Sequence, residues 1–138
     1  MANATDSSLL VDGPRNVVVK FDIDLDTSDI TTYATVLNPA ALYSDPTAPT
    51  LNLRMDRIDY SIDDTLTLQF YWGNTVNANS KHLFDIYGRG KYPVGDVYGG
   101  IQNPKGAGSD GTIRVNTQGW GTGAILHASF IMHCVKVT

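Results

Sequence analysis

The segment RNVVVKFDIDL, residues 15–25, decides how the rest of the chain is read. Val17, Val19, Phe21, Ile23 and Leu25 alternate with Asn16, Val18, Lys20, Asp22 and Asp24. A period of two puts the five apolar side chains on one side of an extended backbone, which predicts a half-buried strand. Upstream, Asp12-Gly13-Pro14 is a turn signal. Residues 1–14 are small and polar apart from Leu9, Leu10 and Val11, and they read as an extended N-terminal arm. Deleting Met1–Pro14 is accordingly expected to weaken attachment to a partner and to leave the fold intact.

Downstream the same period recurs. Tyr33–Leu37 is a short β-prone run, and Pro39, Pro46 and Pro49 make Asn38–Thr50 a loop, since proline removes ladder donors. Leu51, Leu53 and Met55 alternate, the phase slips, and Ile58, Tyr60 and Ile62 alternate again, which predicts a β-bulge near Asp56 and Arg57. With Asp63-Asp64 as a tight turn and Leu66, Leu68, Phe70 and Trp72 beyond it, Leu51–Trp72 reads as a β-hairpin. Gly73–Ser80 reads as a loop and Leu83–Tyr87 as a strand. Gly88–Gly111 is rich in glycine and reads as the longest irregular region, with Tyr92 and Tyr98 as aromatics that pack or bind. Thr112–Asn116 is a short strand. Ala124–Val137, apolar on both faces, predicts a central strand or one facing a partner.

No convincing amphipathic helix interrupts these strands. The pattern predicts an all-β, single-domain antiparallel sandwich or barrel, jelly-roll-like, spanning 15–138 behind an arm of 1–14. At 138 residues a chain buries roughly two-thirds of its unfolded surface, enough to fold without a disulfide or a metal. The net charge of −4 and the scattered lysines and arginines argue against nucleic acid as a partner. No apolar run is long enough to span a bilayer, and the first twelve residues lack the basic and apolar blocks of a secretory signal. Cys134, the single cysteine, lies in an apolar run and reads as a buried structural residue suited to a reducing cytoplasm.

Catalytic patterns are missing. There is no G-x-S-x-G elbow, and Gly119, Gly121 and Gly123 precede a strand rather than opening a helix. They suit a tight turn or a close backbone approach. His127 and His133 are six residues apart on one strand, roughly 20 Å in extended geometry, too far to share one zinc ion. Asp22, Asp24 and Asp26 could hold calcium, yet Thr27 and Tyr33 stand where a helix–loop–helix calcium loop needs glycine and glutamate. A solvated strand face that discourages edge-to-edge association is the plainer reading. No cofactor is implied.

Several stretches together carry a likeness: Asp12–Lys20 (DGPRNVVVK), Leu51–Trp72, Gly99–Gly108 (GGIQNPKGAG) and Thr117–Trp120 (TQGW) before a closing apolar strand. In layout the chain from Asp12 onward resembles small structural proteins of tailed-bacteriophage virions, most nearly head decoration, or cement, proteins. The resemblance implies a β-rich, non-enzymatic, oligomeric protein on the outer surface of the capsid, assembled in the host cytoplasm. It implies the major capsid protein and copies of the chain itself as partners, a trimer being suited to local three-fold sites. Expected contacts are Leu9, Leu10, Val11 and Arg15 in the arm, Tyr92, Tyr98 and Ile101 in the glycine-rich loop, and Trp120 in its turn. The alternative is a carbohydrate- or receptor-binding sandwich of a phage tail or fibre, with Trp120 and the tyrosine-rich loop as the platform.

Overall fold

The computed structural model describes residues 3–42, 52–92, 101–102 and 107–137. Among them ten strands follow in order: β1 (Ala4–Asp12), β2 (Asn16–Leu25), β3 (Ala34–Leu37), β4 (Asn52–Ile62), β5 (Thr67–Asn74), β6 (Lys81–Tyr87), β7 (Arg89–Tyr92), β8 (Ile101–Gln102), β9 (Ser109–Gln118) and β10 (Leu126–Val137). Helix among the described residues is confined to two single 3-10 turns, Pro39–Ala41 and Asn77–Asn79. One sheet has the order β1-β2-β10-β4-β7, with β8 also paired to β4, and the other has the order β3-β9-β5-β6. All described pairings are antiparallel. The two sheets pack face to face as a β-sandwich.

The alternation in β2 turns Val17, Val19, Phe21, Ile23 and Leu25 into the core, each at most 2 % exposed. Against them stand Ala128, Phe130, Met132 and Cys134 of β10, Leu53, Met55, Ile58 and Ile62 of β4, and Leu68, Phe70 and Trp72 of β5. Aromatic rings link the layers. Phe130 meets Phe21 at 5.5 Å and the Phe70 edge at 5.1 Å, Phe70 stacks on Phe84 at 5.1 Å, and Phe84 stacks on Tyr92 at 4.8 Å. Offset and edge-to-face pairs of this kind are each worth about 0.5–1.5 kcal/mol beyond the area they bury.

The strand β10 is central, paired to β2 on one side and β4 on the other. The expected bulge is present: His133 opposes Arg57 and Cys134 opposes Met55, which leaves Asp56 as the extra residue.

Three expectations are corrected. Leu51–Trp72 is not a hairpin, because β4 and β5 lie in different sheets and oppose each other across the core. Their connection turns on the Leu66 N–H to Asp63 carbonyl bond (3.2 Å), with Thr65 at φ +71°, and Asp63 N–H is tied to the His127 carbonyl (3.0 Å). Both strands carry an apolar face, and stacking those faces buries both, which pairing them edge to edge would not. Gly88–Gly111 is not irregular throughout, since β7 and β8 add to the edge of β4. Finally, residues 4–12 do not project as an arm: they form an edge strand laid along β2.

Candidate functional site

The strand β1 pairs with β2 from Ala4 opposite Asp24 to Asp12 opposite Val17. It contains neither proline nor glycine, so its backbone suits a ladder. Two polar clamps hold its ends. At the start, the Asn3 side chain donates to the Ser28 carbonyl (2.9 Å) and accepts from the N–H groups of Asp26 (3.0 Å) and Thr27 (3.1 Å). At the end, Lys136 Nζ donates to Asp12 Oδ1 (2.6 Å) and to the Gly13 carbonyl (2.7 Å), with the lysine side chain only 6 % exposed.

A bulge between Leu9 and Val11 changes the phase of the strand. Leu9 shares the core-facing side with Val19, whereas Val11 opposes Val18 on the outer side. Leu9, Leu10 and Val11 are 45, 52 and 46 % exposed, although Val19 beside Leu9 is fully buried. The core-facing side of β1 therefore overhangs the second sheet. Among the described residues no strand pairs with its far edge. That edge presents a row of N–H and C=O groups of the kind natural sheets normally protect with lysine, proline or a covering segment. Here it carries three adjacent apolar residues.

Beside the other half of β1, the outer face of this sheet forms a groove of about 450 Å³ lined by Asp6, Asp22, Asp24, Ser61, Asp63, His127 and Ser129. His127 is its basic member. Its Nδ1 is hydrogen-bonded to Asp24 Oδ1, and its backbone N–H donates to Asp63 Oδ2 (2.8 Å). The hydrogen bond to Asp24 is the largest cause that raises the His127 pKa; desolvation opposes it, and the fields of Asp24 and Asp63 add smaller upward effects. Lys20 Nζ lies 3.6 Å from Asp22. Asp26 is outside the groove lining and accepts from the Thr27 hydroxyl (2.8 Å). Among the described residues no three His, Cys, Asp or Glu side chains converge as a metal site. Burial pushes the Cys134 thiol far above its ordinary range, which disfavours the thiolate form.

The expected contact residues fall in different places. Leu9, Leu10 and Val11 are exposed on β1, and Arg15 is exposed in the turn that follows, its carbonyl accepting from Lys136 N–H (2.7 Å). Tyr92 is half-buried, stacked on Phe84, and Ile101 opposes Met55 and packs against the core. Tyr98 lies outside the described residues. Trp120 is half-buried, its indole N–H donating to the Ala124 carbonyl (2.9 Å) and its backbone N–H to Asp29 Oδ1 (3.1 Å). Tyr92 and Trp120 thus pack from separate elements.

Sequence reasoning missed Asn3, Lys136, Asp6 and Asp63, whose roles depend on which strands become neighbours. A lysine interrupting the apolar end of β10 was the one available signal. No protein-family model, curated protein or solved structure matches the chain.

Proposed function

We propose that the protein is a non-enzymatic structural component of a tailed-phage virion, a decoration or cement protein on the outer capsid surface, assembled in the host cytoplasm. The observation that carries this reading is the apolar edge of β1, which no strand pairs among the described residues. An open edge with exposed Leu9, Leu10 and Val11 is a template for strand addition, in which main-chain bonds supply affinity and the side chains supply register. The partners are the major capsid protein and further copies of this chain. Repetition over a lattice multiplies modest contacts into strong attachment. The likeness in layout to head decoration proteins supports the same reading.

Because residues 4–12 belong to the sheet, removing them would uncover β2, so point variants are the better probe. Leu10→Lys and Val11→Lys alter side chains that are half exposed and are expected to leave folding within about 0.5 kcal/mol of the parent. Size-exclusion chromatography with light scattering, on the protein alone and mixed with shells lacking it, is the test. The parent is expected to form a small oligomer and to co-migrate with shells, and each lysine variant to lose attachment. A parent monomer that ignores shells, or lysine variants that bind like the parent, would overturn the proposal.

A further inference from the structure

The outer face of the second sheet carries a feature that the edge of β1 does not explain. Tyr33, Tyr71 and His82 form a continuous row of rings across it, with centroids 5.1 and 5.4 Å apart and both contacts edge-to-face at 67°. Tyr33 lies just ahead of β3, Tyr71 on β5 and His82 on β6, so the row crosses the sheet. On β6 the alternation also turns Tyr87 to this face, opposite Thr67 and 76 % exposed.

Tyr33 holds its place at φ +57°, a conformation that costs a non-glycine residue about 1–3 kcal/mol. Its backbone N–H is fixed by Asn116 Oδ1 at 2.8 Å. The strain is retained at a residue whose ring opens the aromatic row. Desolvation, and then the neighbouring Tyr33 and Asp85, raise the Tyr71 pKa, so its hydroxyl stays protonated as a donor.

Between the rings lie planar amides. Gln69 Nε2 donates to Gln118 Oε1 (3.1 Å), which uses one donor and one acceptor, and the two amides carry more of each. The charged side chains on these rows are already matched within the chain. Arg114 binds Asp110 (2.6 Å) and Asn77 (3.0 Å), and His82 Nε2 pairs with Asp85 (2.7 Å). The face therefore offers aromatic surface and neutral hydrogen-bonding groups, with Arg114 already held by Asp110. That complements an uncharged polyol with apolar C–H faces, and it disfavours a polyanion.

We propose that this face, centred on Tyr33, Tyr71, His82 and Tyr87 with Gln69 and Gln118, is a binding site for a neutral carbohydrate chain. Pyranose C–H faces lie on the rings, and equatorial hydroxyls meet the amides and the Tyr71 hydroxyl. The site is separate from β1 and stands whether or not the capsid reading does.

The test is a glycan array holding neutral and sialylated or sulfated oligosaccharides, with the neutral oligosaccharides that are retained then titrated calorimetrically against four proteins. These are the parent, Tyr71→Ala, Tyr87→Ala and the β1 variant Leu10→Lys. Tyr87 is largely solvated, so its variant stays informative even if Tyr71→Ala folds poorly. Neutral oligosaccharides are expected to bind the parent and Leu10→Lys alike, and to bind each tyrosine variant about tenfold more weakly or worse. Retention of acidic glycans only, of no glycan, or of neutral glycans that bind Tyr87→Ala as well as the parent would overturn it.

Discussion

Replacing Gly119 with alanine tests the least expected feature of the fold, the passage of the β4–β5 connection beneath the turn that leaves β9. Gly119 has φ +108°, and a Cβ placed on it would lie 1.8 Å from the Thr65 carbonyl oxygen. The obstacle is backbone, so no side chain can swing away. A left-handed φ costs a non-glycine residue about 1–3 kcal/mol. Forcing two packed segments apart costs about 1–3 kcal/mol more. The variant should therefore lose about 2–6 kcal/mol of a total that for a domain is typically about 5–15 kcal/mol. Interpolated to a chain of this length, that is a fall in Tm of at least about 6 °C. Gly121→Ala is the internal control, since a Cβ there meets nothing within 4 Å, and its stability should change by no more than about 0.5 kcal/mol. Thermal and urea unfolding followed by circular dichroism measure both. If Gly119→Ala melted within about 2 °C of Gly121→Ala, the close approach of the Thr65 carbonyl to Gly119 would be refuted.

Three other outcomes are expected. Lys136→Met removes a charged partner of Asp12, which is only 20 % exposed, and should cost about 1–3 kcal/mol while speeding amide hydrogen exchange in residues 4–12 more than in β9. His127, whose folded pKa is raised, should add stability that is fully present below its unfolded value near about 6.5 and is lost as pH rises through the folded value. NMR titration of the imidazole locates that value, and His127→Gln should flatten the pH dependence of Tm in that window. Cys134, 2 % exposed with a raised thiol pKa, should resist iodoacetamide at neutral pH in the native protein and be alkylated fully in denaturant, as read by intact mass.

The strongly alternating strands were legible from the sequence because alternation is a local property. Each apolar side chain of Val17–Leu25 lies on the side its neighbours predict, and the phase slip at Asp56 marks the bulge without any knowledge of the partner strand. Double-sided apolarity in 124–137 predicted a central strand or one facing a partner, and β10 is central, paired at both edges. Which strand lies beside which is not encoded in any one segment. A turn such as Asp63-Asp64 can close a hairpin or step between layers, and the choice falls to whichever arrangement buries more apolar surface over the whole domain. The same long-range selection lays residues 4–12 along β2, brings Asp6 and Asp63 to His127, and sets Tyr33 against Tyr71 although 37 residues separate them in the chain. Sequence by itself determined the strongly alternating strands and their faces, and it left β1, β7 and β8 unread. Only the tertiary structure decided their neighbours, because pairing is a competition among contacts distant in the chain, and the surfaces open to partners are those the competition left uncovered.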